Sequence, residues 1–564
     1  MKDKTLLQAL RLIYSCDRKA FLLKVLYTVL QSLLPLANLY VLKLVVDQVT
    51  TLAAHPAAFG SETITPIAVS TAVFAGVFLL NRLIGVFSAV NNDVLVQKLI
   101  DHINNLIQTQ SVQLDLAYYD NPDYHDTFHR AQQEAAFRPV RILESFVDIL
   151  GSAISLAGIV LMLCSAHWSV ILIMVVAVVP SFLVRLYKSR QIYLFHRNTT
   201  QPMRRSTYYG QVLSSATFAK EVRVFGLAAH FRQRYLALRH QLVQQLFRIS
   251  RRLALFDALT SIVETLALMA IMVALVRPVL SASITIGSFV MLFEAYRRGQ
   301  GHMSSLVSGI SGLYEHKLFI SNLFHFLQLK PHILSPVDPV PFPSQIEQVE
   351  FHHVWFHYPY TRKEQEKGRW VLRDYSLSAP FGRITRLEGE NGFGKSTLLK
   401  LLLRLYDPQQ GSILINGTDI RHFDLQELRR NISVIFQDHV RFYCTAKENI
   451  EFGDLNHSSI LSGNSETAQQ RLHQAIRLAD AQPVIDSLSK GLDTPLGRMF
   501  DDGEELSMGQ WQRLALARQL YSQAPILVFD EPTAWMDVQA RHTFAQNLQE
   551  LSKNHLIILI SHLD

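Results

Sequence analysis

The sequence predicts a chain of two unlike parts: an α-helical transmembrane domain of six helices with long cytoplasmic extensions, then a soluble α/β domain. Three observations predict this. Apolar stretches near bilayer-spanning length crowd the N-terminal half and then stop. A cluster of prolines, Pro331, Pro336, Pro339, Pro341 and Pro343, follows and excludes helix there. Beyond it, short β-type runs alternate with helical patterns. The domains so predicted are residues 1–328, a proline-rich linker at 329–345, and 346–564.

Composition agrees with that division. The 564 residues are 49% hydrophobic, more than a wholly soluble chain of this size needs and less than one lying entirely in lipid. The apolar stretches are residues 21–49, 65–90, 147–164, 168–187, 253–276 and 286–296, the last continuing amphipathically. Their connections differ in charge: 50–63, 165–167 and 280–285 contain no Lys or Arg, whereas the N-terminus, 98–141 and 188–252 contain many. Six spans with both ends in the cytoplasm satisfy the positive-inside rule at every loop. The same asymmetry accounts for the net charge of +7, so no nucleic-acid partner is inferred from it.

The two basic connections are long and helix-patterned, with little proline or glycine. The membrane helices are therefore expected to continue into the cytoplasm as helical hairpins that reach the soluble domain. Cys16, Cys164 and Cys444 are too scattered for a disulfide framework or a metal site. The start, Met1-Lys2-Asp3-Lys4, lacks the short apolar core and cleavage site of a removable signal peptide.

In the soluble domain, Gly389-Glu390-Asn391-Gly392-Phe393-Gly394-Lys395-Ser396-Thr397 follows a strand and opens a helix, which is the P-loop context. Backbone N–H groups of Gly389, Asn391, Gly392, Gly394 and Thr397 suit phosphate oxygens. Lys395 suits the β- and γ-phosphates, and Ser396 a Mg²⁺ ion. Further on, Ile526-Leu527-Val528-Phe529-Asp530-Glu531 is a hydrophobic strand ending in two carboxylates. Asp530 suits ordering of Mg²⁺, and Glu531 suits polarising a water for attack on the γ-phosphate.

Leu506-Ser507-Met508-Gly509-Gln510, followed by Trp511-Gln512-Arg513, resembles the signature of ABC ATPases. The resemblance implies an α/β P-loop ABC nucleotide-binding domain that binds ATP with Mg²⁺. It places Ser507, Gly509 and Gln510 against the nucleotide held by an opposite subunit. The rest of the pattern falls in order. Tyr358 matches the aromatic residue that stacks on adenine, and Gln437 the glutamine that senses Mg²⁺ and the attacking water. Asp537 matches the residue that couples the two sites, and His562 the histidine that touches the γ-phosphate. Met508 departs from the usual glycine at a variable position. Family members also continue past this histidine, so the domain is expected to be cut short at Asp564.

The membrane half is similar to exporter-type ABC proteins. Leu114-Asp115 through Asp126 resembles their first cytoplasmic coupling segment, and Ala219-Lys220-Glu221-Val222-Arg223-Val224-Phe225-Gly226 the stretch after the second. The expectation is a homodimeric half-transporter in the cytoplasmic (inner) membrane, with its ATPase domain in the cytoplasm. The run around Arg498 and the Gly-Gln-Trp-Gln tetrad after Met508 look like the branch that exports ribosomally made bacterial peptides, here without an N-terminal papain-like leader peptidase. A lipid or multidrug exporter is the alternative cargo reading. An ATP-gated receptor or channel is the alternative of another class.

Asp148, Asp257, Glu264 and Glu294 fall in or near apolar helices, where a charge is costly unless it is paired or faces a cavity. Two readings stand. In one they pair with Lys43, Arg82, Arg297 or Arg298. In the other, Glu264 and Glu294 line an acidic cavity for a cationic or polar cargo.

Overall fold

The computed structural model describes residues 4–54, 61–120, 138–164, 168–281, 283–359, 370–388, 394–458, 466–536 and 538–561. The chain divides into two compact units, one of Met1–Val112 with Thr127–Gln328, the other of Gln113–Asp126 with Leu329–Asp564.

The first unit is helical. Inside a bilayer every backbone N–H and C=O must find its partner within the segment, and the helix achieves this. Its helices are α1 (Lys4–Cys16), α2 (Arg18–Ala54), α3 (Ser61–Gln113), then α5 (Arg138–Cys164), α6 (Trp168–Asn198), α7 (Thr200–Ser214), α8 (Ala216–Val224), α9 (Ala228–Leu280) and α10 (Ile286–Leu327); α4 (Leu116–Asp120) belongs to the other unit. Each of the six apolar stretches read from the sequence falls inside a long helix: α2, α3, α5, α6, α9 and α10. Among the described residues, α2, α3, α5 and α9 are long and apolar enough to cross a membrane. The corresponding part of α10 carries Glu294, Arg297 and Arg298.

At 53 residues, α3 and α9 are about 80 Å long, far beyond the roughly 30 Å of a hydrocarbon core. These are the extensions expected from the basic connections. The second one is not continuous. Helix breaks at Thr199 and Ser215, and a turn at residues 225–227, where Gly226 adopts φ +63°, divide it. Ser215 is extended at φ −91°, ψ 148°, and ends one helix while starting the next. Pro202 falls in the first turn after the break at Thr199, whereas no proline or glycine stands beside Ser215, so periodicity alone merges the segments there.

The core of this unit joins α2, α5, α9 and α10 through Leu39, Ile159, Ile271, Leu292 and Tyr296. Small residues let α10 approach α5 closely. A Cβ on Gly309 would lie 2.7 Å from Ile149, and one on Gly312 would lie 2.7 Å from Ser145 Oγ. Glu294 is held within its own helix, accepting from Arg297 at 2.8 Å and Arg298 at 3.0 Å. It follows the pairing reading.

The second unit carries two sheets. β1 (Gln348–Phe356), β2 (Leu372–Pro380), β4 (Gln410–Ile415) and β5 (Thr418–Asp419) form an antiparallel sheet in the order β2-β1-β4-β5. β3 (Ile384–Leu387), β6 (Ile432–Ile435), β7 (Ile526–Asp530) and β8 (Leu556–Ile560) form a parallel sheet in the order β3-β8-β7-β6. β7 and β8 are buried at every residue, the uninterrupted apolar pattern of a parallel sheet covered on both faces. One face carries α11 (Lys395–Leu402) and the antiparallel sheet, around Phe356, Leu398 and Val528. The other carries α16 (Met508–Tyr521) and α17 (Val538–Leu551), around Trp511, Leu514, Phe529 and Phe544. Between α11 and α16 the chain adds α12 (Leu425–Arg430), α13 (Ala446–Glu451), α14 (Glu466–Leu478) and α15 (Gln482–Asp486).

Leu514 is fully buried where α16 meets the sheet. Leu514→Ala should remove about 2–5 kcal/mol from this unit. The full chain in detergent should show a lower unfolding midpoint by tryptophan fluorescence; an unchanged midpoint would mean that this core does not limit stability.

Candidate functional site

The site is built at the carboxyl ends of the parallel strands. β3 leads into the glycine loop, and α11 begins at Lys395 directly after Gly394, which sits at φ +88°. A left-handed residue there suits glycine alone, because a Cβ would also crowd Val371 and Leu372 at 3.0 Å. Lys395 and Thr397 are buried at the start of this helix. Gly389, Asn391 and Gly392 lie outside the described residues, as do Asp537 and His562.

β7 delivers Asp530 and Glu531 beside that loop. Ser396 Oγ donates to Asp530 Oδ2 at 3.0 Å, although the two residues are 134 apart in sequence. Burial raises the Asp530 carboxyl above its ordinary value, the Ser396 hydrogen bond opposes this, and neighbouring Glu531 adds to it. A buried carboxylate beside a hydroxyl is a hard oxygen donor set, the chemistry that suits Mg²⁺. Glu531 sits at φ +49°, a region that costs a non-glycine residue roughly 1–3 kcal/mol. Its backbone N–H donates to Ile560 O at 3.0 Å, which fixes the turn against β8. Its side chain accepts from Gln437 Nε2 at 2.8 Å. The structure therefore brings Ser396, Asp530, Glu531 and Gln437 together.

Tyr358 lies at the other side of the loop helix. Its hydroxyl is 3.0 Å from Thr397 Oγ1, and the Lys400 ammonium lies 5.3 Å from its ring centroid. Tyr406 meets Tyr358 edge-on at 5.4 Å, and the Tyr406 hydroxyl donates to Asp120 on α4. The short helix is anchored further by Asp115, which accepts from His332 N at 2.6 Å. Tyr118 donates to Lys330 O at 3.0 Å and stacks on His332. Part of the segment that resembles a coupling element is thus one chain of contacts away from Tyr358.

The signature residues start α16. Ser507 is its N-cap in a capping box: Ser507 Oγ accepts from Gln510 N at 3.3 Å, and Ser507 N donates to Gln510 Oε1 at 2.8 Å. The accepting hydroxyl keeps its own proton to donate, and the helix N-terminus favours an anion. A Cβ on Gly509 would lie 2.7 Å from Trp535 O, so the helix start and the Trp535 turn are in close contact.

Two side chains to which the sequence assigns no role belong to this site. Gln512 donates to Glu531 O at 3.3 Å and accepts from Trp535 N at 3.1 Å, tying α16 to the turn after β7. Arg441 reaches Met508 Sδ at 2.7 Å. The glutamine was visible as part of the Gly-Gln-Trp-Gln run, but its partners depend on how α16 lies on the sheet.

Residues 372–534 match the family model described as ABC transporter. The subtilin transport ATP-binding protein of Bacillus subtilis is 26% identical over 561 residues, covering 99% of this chain and 87% of the relative. The nisin transport ATP-binding protein of Lactococcus lactis subsp. lactis is 24% identical, covering 99% of this chain and 89% of the relative. An ATP-dependent lipid A-core flippase of Yersinia pestis is 26% identical over 82% of this chain and 76% of its own length. Among solved structures, a bacterial Atm1-family ABC exporter with ATP bound superposes with a TM-score of 0.74 at 21% identity, covering 96% of this chain and 91% of that one.

A P-loop sheet with this signature, joined to a unit of membrane-length helices, defines a multi-pass membrane transport ATPase. More particularly, residues 372–534 are an ABC transporter ATPase domain, and the chain as a whole has the fold of an ABC exporter, one helical membrane unit followed by one nucleotide-binding unit. Its ATP hydrolysis is coupled to transport.

Gln512→Ala removes both ties between α16 and the Glu531 turn. ATPase assays should show kcat reduced by about tenfold with KM within about twofold, the pattern of a lost transition-state contact. A change confined to KM would count against this positioning role.

Proposed function

We propose that two copies of this chain export an amphiphilic, ribosomally made peptide across the cytoplasmic membrane by alternating access. Each copy would offer its glycine loop to one ATP and its Ser507–Gln510 helix start to the ATP of the other. The hydrogen bond between Gln437 and Glu531 carries the motor part of this reading. It holds a carboxylate ready to accept a proton from water beside the phosphate-binding helix, with its orientation set by a neutral donor.

Lys395 and the α11 N-terminus bind the phosphates, and Tyr358 takes the adenine. Ser396, Asp530 and Gln437 would hold Mg²⁺, which neutralises charge on the phosphates when bound. His562 contacts the γ-phosphate and Asp537 couples the two sites. Binding of two ATP molecules closes the ATPase domains, and hydrolysis at Glu531 releases them. The ATPase domain lies in the cytoplasm, on the side of the basic connections. In the membrane unit, Val224 and Phe225 stand 79% and 69% exposed at the turn after α8, an apolar tip suited to a partner surface.

The cargo part is supported by full-length similarity to subtilin and nisin transport proteins. Similarity to lipid A-core flippases supports lipid movement as the second reading. A receptor or channel that uses ATP only as a ligand has no need of a glutamate held in a strained backbone at the phosphate site.

Glu531→Gln in proteoliposomes should retain ATP binding and lower turnover by about a hundredfold or more. It should also trap a species of about twice 64.2 kDa. Turnover at the unmutated rate would refute the role of Glu531, and an obligatory second chain would refute the homodimer. ATP-driven uptake of a precursor peptide into inverted vesicles, with no movement of labelled lipid, would fix the cargo class.

A further inference from the structure

At the cytoplasmic end of the spans, α6 and α9 enclose a pocket of about 400 Å³, inside the range of roughly 300–1,000 Å³ typical of ligand sites. Arg248 and Arg252 line it from α9, together with the amides of Gln191, Asn198 and Gln245. No acidic residue is in the lining. Among the described residues neither arginine makes an ion pair, and Asp257, a turn further along α9, is held by Lys188 at 2.8 Å.

The two arginines stand one turn apart on one helix, where like charges repel and destabilise it. The positive-inside rule explains why they are cytoplasmic, but not why both line one pocket with amide donors. An anion held between them removes the repulsion and gives each guanidinium an acceptor.

Depth identifies what carries the anion. Tyr187 of α6 and Phe256 of α9 meet edge-on at 6.0 Å, at the cytoplasmic ends of their apolar stretches. Gln191 and Arg252 each stand one turn beyond this pair on the cytoplasmic side, about 6 Å of helix. A headgroup layer is about 5–8 Å thick on each face of a bilayer, so the pocket lies level with lipid phosphates.

The rest of α9 continues the match. At about 100° per residue, Arg252, Leu255, Leu259, Ile262 and Leu266 all lie within about 40° of Arg248 around the helix. The four apolar residues are exposed. They form a stripe about 16 Å long, close to the roughly 15 Å acyl depth of one leaflet. One face of α9 therefore carries two cations at headgroup depth and an apolar track above them. A free phosphate would leave the track unused. A zwitterionic lipid would bring its own cation to the arginines.

We propose that this pocket binds an anionic phospholipid of the cytoplasmic leaflet, as a resident ligand of the membrane unit and not as cargo. Its phosphate sits between Arg248 and Arg252. Gln191, Asn198 and Gln245 donate to its ester and glycerol oxygens, and one acyl chain follows Leu255, Leu259, Ile262 and Leu266.

The test is equilibrium binding to the full chain in neutral detergent, with phosphatidylglycerol dye-labelled on one acyl chain as the probe. Binding should saturate, and phosphatidylcholine should compete at least tenfold less well than unlabelled phosphatidylglycerol. Arg248→Gln and Arg252→Gln should each weaken the probe by about fivefold, and the double variant by more than tenfold. Arg251→Gln removes the same charge at the same depth but outside the lining, and should change affinity by no more than about twofold. Arg248→Lys with Arg252→Lys keeps both charges and should recover part of the affinity, which separates recognition from misfolding.

An equal loss in Arg251→Gln would overturn the proposal, because attraction to a basic surface would then suffice. So would equal competition by phosphatidylcholine, or displacement by glycerol 3-phosphate at the concentration of the lipid, the mark of a soluble-phosphate site. Absence of saturable binding, expected if a second copy covers this face, would also overturn it. ATP-driven transfer of the probe to the opposite leaflet of proteoliposomes, lost in the double variant, would make the lipid cargo and end its role as a resident ligand.

Discussion

The placement of β7 inside a parallel sheet is the constraint on which the ATPase unit depends. Parallel strands all release their chains at the same end, so the loop after β3 and the carboxylates after β7 emerge together although a long stretch of sequence separates them. Pairing of Asp530 with Ile560 on β8 fixes how far β7 protrudes. A slip of one residue would turn Asp530 to the other face of the sheet and break its contact with Ser396. The buried Ile-Leu-Val-Phe run opposes that slip, because both faces of the sheet are covered by apolar side chains. Hydrophobic register thus sets polar geometry. The strain at Glu531 is sustained by the same arrangement: its N–H is tied to β8 and its C=O to Gln512.

In the membrane unit the governing problem is charge. Glu294 is neutralised within one turn of its own helix, and Asp257 is neutralised across helices by Lys188. These two solutions differ in consequence. A pair within one helix moves as a rigid body, whereas a pair between α6 and α9 registers any sliding of one helix on the other. Gly309 and Gly312 bring α10 against α5 so closely that this contact has little freedom to adjust.

Much of this was legible in the sequence, and for physical reasons. The spans, the strand carrying Asp530 and the helix starting after Ser507 are local: periodicity, a run of apolar residues and a cap determine them. Lys395, Ser396, Asp530, Glu531 and Gln437 could be named because phosphate chemistry allows few residue types at each position. What could not be read depends on tertiary placement. Gln512 gives no periodic or motif signal for its two contacts. The break at Ser215 has no proline or glycine beside it. Lys188 was not among the partners named for Asp257, because the two lie on different helices, 69 residues apart in sequence.

The anchoring of α4 bears on how the chain is made. Tyr118 and its acceptor at Lys330 are 212 residues apart. At roughly 5–20 residues per second, translation leaves α4 without its docking surface for about 10–40 s. Asp115, Tyr118 and Asp120 keep this short helix polar enough to wait in water, while Leu116 and Ala117 offer only a small apolar face to cover later. The ATPase unit therefore finishes around a segment synthesised long before it.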